Sequence, residues 1–217
     1  MKIRSNRWDD HYTRKAREEN WLARSVYKLK EIDSKFRILR KGDRVLDLGC
    51  YPGSWSQYAL KKVGPSGTVI GLDLVAPEGF FYPNFRFLGL DVFDVEPISL
   101  KEELGEVDVV LSDLAPSTTG VKNTDSARSM NLAAKAFEIA EAVLRGQGYF
   151  VCKVFEGEDM SRFRSLVSSR FGGARLLRPA ATRKRSREVY LIGLGAVRSK
   201  VLPGNGECHP AGEPEQP

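Results

Sequence analysis

The sequence predicts an α/β fold, a mostly parallel sheet covered by helices on both faces. Three observations point there: short β-branched runs alternate with helical stretches from Val45 onward, a glycine-bearing turn follows the first run, and several runs close on an aspartate. Ahead of the first strand, Leu22, Val26, Leu29, Ile32 and Phe36 recur at steps of three and four, which predicts an amphipathic helix over 22–36 with Lys28 at the edge of its apolar stripe. The strands expected after it are RVLDLG, TVIGLDL, FRFLGLD, VDVVLSDL, YFVCKVFEG, ARLLRP and EVYLIGLG. Past Gly195 the end of the chain, GNGECHPAGEPEQP, is rich in Pro, Gly and Glu, and residues 197–217 are expected to be a disordered tail. The organisation expected is a basic, helical extension over 1–40, a catalytic domain over 41–196, and that tail.

With 217 residues, 41% hydrophobic and 29% charged, the chain can bury one substantial core. No apolar run approaches the roughly 20 residues of a membrane helix, and the start, MKIRSNRWDDHYTRKAREENW, lacks the apolar centre of a secretory signal. A cytoplasmic protein is expected, with no membrane partner. Cys50, Cys152 and Cys208 form no CxxC pair and have two histidines to join, so no metal site and no disulfide framework is expected.

The net charge of +6 is unevenly spread. Residues 1–41 carry thirteen Lys/Arg against six Asp/Glu, residues 42–110 five against eleven, and residues 175–188 six against one. Two basic segments flanking an acidic middle suit a molecule that docks a polyanion on one face and binds something else on another.

In open α/β sheets the ligand sits beyond the carboxyl ends of the strands, where the first strand-to-helix turn brings backbone close to it. Here that turn is Asp47-Leu48-Gly49-Cys50-Tyr51-Pro52-Gly53-Ser54-Trp55, without the GxGxxG spacing of a dinucleotide site. Asp73 closes the second strand as an acceptor for ribose hydroxyls; Asp91 closes the third, where it would face a base; Asp113 closes the fourth. Carboxylates at four strand ends, Asp47 included, describe a pocket for a ligand with hydroxyls, amines and positive charge. Each Asp singly also suits a helix or turn cap. Trp55 suits the core as well as a ligand face, and Cys50, with no activating base near it in sequence, reads as a packing residue.

Lys153 is a charge inside the apolar run GYFVCKVFEG, where desolvation costs several kcal/mol unless a partner is supplied. It lies near the ligand end of the fifth strand. Asp113 would neighbour it if the fourth and fifth strands pair. Glu188, opening a late strand after the basic run KRSR, would reach the same end if that strand inserts antiparallel, and Lys28 could arrive from the preceding helix.

These residues carry a resemblance. Through RSVYKLKEID, VLDLGCYPGSWSQ, SDLAP, CKVFEGE and RKRSREVYLIG, from about Arg7 to Leu194, the chain resembles the FtsJ-like ribose 2′-O-methyltransferases of large-subunit ribosomal RNA. The resemblance implies a Rossmann-like class I methyltransferase with a seven-stranded sheet whose last strand is antiparallel, and S-adenosylmethionine as cofactor. It implies catalytic roles for Lys28, Asp113, Lys153 and Glu188, and cofactor contacts at Gly53, Trp55, Asp73, Asp91 and Asp113. Its substrate would be a uridine ribose in 23S-type ribosomal RNA within the large subunit, near the peptidyl-transferase centre, with the enzyme acting as a monomer. The family commonly reads Ala-Ala-Pro-Gly-Gly in the cofactor loop where this chain has Cys50-Tyr51-Pro52-Gly53-Ser54, so contacts at Tyr51 are open.

On that reading Lys153 either accepts the 2′-hydroxyl proton or, as a cation, stabilises the developing alkoxide; Asp113 orients it, and Lys28 and Glu188 position the ribose. Segments 2–41 and 175–187 form the RNA surface. The alternatives are the same chemistry on transfer RNA and a noncatalytic RNA-binding module. A cytosine or amino methylase would want Cys-Pro or an aromatic where SDLAP stands, and a nicotinamide oxidoreductase would want GxGxxG.

Overall fold

The computed structural model describes residues 11–197. Helices α1 (His11–Glu18) and α2 (Val26–Phe36) precede a sheet of seven strands: β1 (Arg44–Leu48), β2 (Thr68–Asp73), β3 (Phe85–Gly89), β4 (Val107–Ser112), β5 (Leu144–Phe155), β6 (Phe171–Leu177) and β7 (Glu188–Ala196). Between them lie α3 (Ser54–Val63), a 3-10 turn at Val92–Asp94, α4 (Pro97–Leu104), α5 (Lys122–Val143) and α6 (Met160–Arg170). The strand order is β3-β2-β1-β4-β5-β7-β6, with β7 antiparallel to both β5 and β6. This is the predicted sheet, strand for strand.

Period-two alternation divides the core. Leu46, Leu48, Ile70, Leu72, Val110, Phe150, Cys152 and Val154 face the layer of α4, α5 and α6, while Val45, Val69, Val109, Leu111, Val151 and Tyr190 face α2 and α3. Buried Asp33 ties α2 to α3 by accepting from Tyr58 Oη at 2.8 Å and from Lys62 Nζ at 2.8 Å. Order reverses between β1 and β4, where the chain leaves β1 toward β2 and β4 toward β5, and that parting opens the crevice at the carboxyl ends.

Two expectations need correction. The helix predicted over 22–36 starts at Val26: Leu22 sits in the preceding turn, its N–H donating to Gln57 Oε1 at 3.2 Å, and its side chain covers Gly53 rather than continuing the stripe. Asp91 stands two residues past β3 and caps the 3-10 turn, accepting from the Phe93 N–H at 3.0 Å. The tail from 198 onward and the first ten residues, with Lys2, Arg4 and Arg7 of the basic segment, lie outside the described residues.

Candidate active site

A cavity of about 660 Å³ occupies the crevice, and its walls come from the carboxyl ends of β1 to β4. Gly49 opens the floor: its φ of +77° suits glycine, and a Cβ there would lie 2.8 Å from Leu114 Cδ2. Asp73, Asp91 and Asp113 supply carboxylates against one guanidinium, Arg128, with Leu72, Leu90 and Val92 among the apolar walls. Asp73 also fixes the loop, accepting from the Tyr51 N–H at 2.9 Å and the Val75 N–H at 3.3 Å. Tyr51, half exposed, lines the same cavity, so the bulky departure from the family's alanine falls on the ligand wall. An adenosine bearing a cationic sulfonium and an amine matches this lining: hydroxyls and cations meet carboxylates, and the base meets the apolar wall. The residues present therefore fit S-adenosylmethionine.

The expectation that four strand-end carboxylates face the ligand is corrected at Asp47. Leu48 follows it in β1, so Asp47 is committed to the sheet face under α3, is fully buried, and accepts from Ser56 Oγ at 2.6 Å. Burial, then the charges of Asp113 and Asp73, push its carboxyl up to about 7. It supports the crevice from beneath.

Gly53 and Trp55 lie outside the cavity wall. Gly53, with a φ of +111°, is packed by protein, since a Cβ there would meet Leu22 at 2.9 Å and Pro77 at 3.1 Å. Trp55 is 2% exposed, donates from Nε1 to the Ser25 carbonyl at 2.9 Å, and lies 5.7 Å from the Tyr190 ring. Gly53 has no side chain to offer and that of Trp55 is packed in the core, so neither residue lines the cavity. Cys50 is buried, and its thiol is driven well up by burial and by the charges of Asp47 and Asp73, which fits packing and not nucleophilic chemistry.

Beside the cavity the structure brings Lys28, Asp113, Lys153 and Glu188 together. Lys153 Nζ lies 3.0 Å from Asp113 Oδ1 and donates to the Asp113 carbonyl at 2.5 Å. Lys28 Nζ lies 2.6 Å from Glu188 Oε1. Each is a largely buried pair of opposite charge, the condition under which buried ions are tolerated. The sheet explains the convergence: Lys153 pairs with Tyr190 and Phe155 with Glu188, so on the face toward α2 the side chains of Lys153, Tyr190 and Glu188 follow one another.

Tyr190 joins the two pairs and was missed in the sequence because EVYLIG reads as plain core. Its hydroxyl donates to Asp113 Oδ1 at 2.7 Å, and Lys28 Nζ stands 5.8 Å from its ring centre. The signal that would have found it is its two-residue offset from Glu188. Burial, then the Asp113 charge, drives the phenol well above its ordinary value, so it remains a proton donor. Burial opposes the charge on Asp113, yet Lys153, Lys28 and the Tyr190 hydroxyl outweigh it and hold that carboxyl below the usual range. Asp113 is thus an anion at neutral pH that faces both the cavity and Lys153. The site can hold a cationic ligand on one side of Asp113 and manage a proton on the other.

The model of the family described as FtsJ-like methyltransferase matches residues 21–196. A protein of Desulforapulum autotrophicum named Ribosomal RNA large subunit methyltransferase E is 46% identical over 195 residues, spanning 89% of this chain and 96% of that protein. Another of that name, from Syntrophobacter fumaroxidans, is 48% identical over 191 residues, spanning 88% and 97%. Among solved structures, one described as a ribosomal RNA methyltransferase of Plasmodium falciparum aligns with a TM-score of 0.70 at 27% identity, over 81% of this chain and 98% of that one. Fibrillarin from Aeropyrum pernix, solved with natively bound S-adenosyl-L-methionine, shares the fold at a TM-score of 0.50 and 18% identity, over 72% and 68%.

Proposed function

The chain belongs to the FtsJ-like methyltransferases, and from that premise we infer that it transfers the methyl group of S-adenosylmethionine to a ribose 2′-hydroxyl of large-subunit ribosomal RNA. The observation that carries the reading is the meeting of Lys28, Asp113, Lys153 and Glu188 at the rim of a cavity whose lining fits the cofactor.

Bound S-adenosylmethionine supplies an electrophilic methyl on a sulfonium. Asp73 and Asp91 would hold its hydroxyls and base edge, and Gly53, outside the cavity wall, would set the turn of the loop that carries Tyr51. Asp113 keeps Lys153 Nζ at a fixed place, and Lys28 with Glu188 would orient the ribose so that its 2′-oxygen can attack in line. Acting as the base, Lys153 Nζ first gives up a proton to solvent and then receives the hydroxyl proton as the new bond forms. If instead it keeps its charge throughout, it steadies the alkoxide, and the pH–rate profile separates the two: a base gives a rate that climbs with pH until the amine has titrated, a fixed cation one that falls there. The reading takes the enzyme to act as a monomer. Among the described residues no helix is long and apolar enough to cross a membrane, and a ribosomal substrate supports a cytoplasmic enzyme.

The test is incorporation of labelled methyl into large ribosomal subunits from cells lacking the protein, with the modified ribose mapped. A new 2′-O-methyl at one nucleotide, a uridine on this reading, is expected. Methylation of transfer RNA alone, or none, would overturn the assignment.

A further inference from the structure

Tyr51 stands apart from the other tyrosines. Of the seven in the chain, Tyr12, Tyr27, Tyr58, Tyr82, Tyr149 and Tyr190 each meet another ring, a cation or a carboxylate. The Tyr51 side chain makes no such contact among the described residues, although it stands 51% exposed on the wall of the cofactor cavity. Leu74, Leu90 and Phe93 line the same cavity and are exposed too, so an apolar collar in contact with water surrounds its rim. Large apolar side chains gathered at a cavity rim mark a surface that a ligand covers.

The backbone that carries Tyr51 is pinned on both sides. Ahead of it Cys50 is buried, and the N–H groups of Gly49 and Cys50 donate to the Leu72 carbonyl at 2.8 and 3.3 Å. Behind it Gly53 is closely packed by Leu22 and Pro77. The N–H of Tyr51 itself donates at 2.9 Å to Asp73 Oδ2, on the carboxylate that ends β2. The loop thus roots the ring beside Asp73 and leaves it rotation about its own side-chain bonds.

We propose that the Tyr51 ring packs over the adenosine ribose of S-adenosylmethionine and covers it at the mouth of the cavity. This rests on the function inferred above and adds a contact where the family commonly carries alanine. Asp73 meets the ribose hydroxyls from one edge, so a ring rooted on the same carboxylate reaches the C–H face of the sugar. Alanine would leave that face to water, whereas the tyrosine ring removes it from water together with part of its own surface.

The test compares wild type with Tyr51→Ala and Tyr51→Phe, by calorimetry and stopped-flow dissociation of S-adenosylmethionine and S-adenosylhomocysteine. Tyr51→Ala should bind both about tenfold more weakly, because both carry the same ribose, with most of the change in a faster off-rate. Tyr51→Phe should stay within about twofold of wild type, since the ring and not the hydroxyl makes the contact. In unaltered protein, saturating S-adenosylmethionine should protect Tyr51 from nitration, while Tyr82, exposed outside that cavity, keeps its reactivity. Tyr51 is half exposed, so its replacement leaves the core and the fold intact. Unchanged affinities in Tyr51→Ala, or nitration of Tyr51 indifferent to the cofactor, would overturn the proposal. So would a loss confined to S-adenosylmethionine, which puts the ring on the sulfonium, or a raised KM for RNA alone, which puts it on the substrate. Failure of the function reading would look different: wild type would bind both ligands and methylate no ribosomal RNA, with the Tyr51 affinities still deciding the contact.

Discussion

The two cavities flanking the catalytic cluster are electrostatic mirror images. The larger, which fits the cofactor, is lined by three carboxylates and one guanidinium; the smaller, a hollow of about 300 Å³ beside the Lys28–Glu188 pair, is lined by three cations, Arg24, Lys28 and Arg183, and one carboxylate. A fold that mixed these charges would hold neither ligand well; segregating them is what the proposed function requires of a site that takes a small cation and a polyanion. The cluster between them carries both signs, with Asp113 on the acidic wall and Lys28 and Glu188 on the basic one. Lys153 and Tyr190 line neither cavity: Tyr190 reaches from Asp113 to Lys28, and Lys153 joins the acidic wall through Asp113.

That division predicts how variants fail. Lys153→Ala removes the joining amine and should lower the single-turnover rate of methyl transfer by about 10²–10⁴ while cofactor affinity stays within a few-fold. Near-normal transfer at normal cofactor affinity would break the assignment of Lys153.

Asp47 tests whether the acidic side is wall or foundation. An unfolded aspartate ionises near pH 3.9, whereas Asp47 in the fold titrates at about 7. Between those values the native state binds the extra proton, so this group makes stability fall as pH rises and has done its full damage above pH 7. Asp47→Asn cannot ionise. Its Tm should exceed that of wild type increasingly from pH 5 to 8, with little change in cofactor affinity. A large loss of cofactor affinity at constant Tm difference would make Asp47 a ligand contact.

The smallest effect is expected of Tyr190→Phe. Losing the hydroxyl's bond to Asp113 should destabilise the protein by on the order of 1.5 kcal/mol and slow transfer several-fold, because Lys153 and Lys28 still hold the carboxylate. An effect as large as that of Lys153→Ala would mean that the phenol touches substrate.

How much of this was legible in the sequence follows from which residues announce themselves. The seven strands were readable because β-branched runs stand apart from the helical stretches, whereas the antiparallel entry of β7 came only as what the family resemblance implied. Lys153 was conspicuous as a charge in an apolar run. Asp47 was misplaced because a strand-end rule does not say on which side of the last residue a carboxylate falls: Asp73 ends its strand and Asp113 follows one, but Asp47 precedes Leu48 and points under α3. Leu22 extended the helical period by accident, since its side chain is used to pack Gly53. The role of Trp55 turned on tertiary neighbours, Ser25 and Tyr190, that no local pattern encodes. The Arg24–Arg183 hollow joins segments some 160 residues apart in sequence, and only their meeting in space gives the charge its meaning.

The central claim is that two ligands of opposite charge meet across one catalytic cluster, and the salt dependence of each tests it directly in the unaltered protein. Raising salt from 50 to 200 mM should weaken RNA binding steeply, with a log–log slope of several, while S-adenosylmethionine affinity changes little. Equal sensitivity of the two affinities would contradict the division.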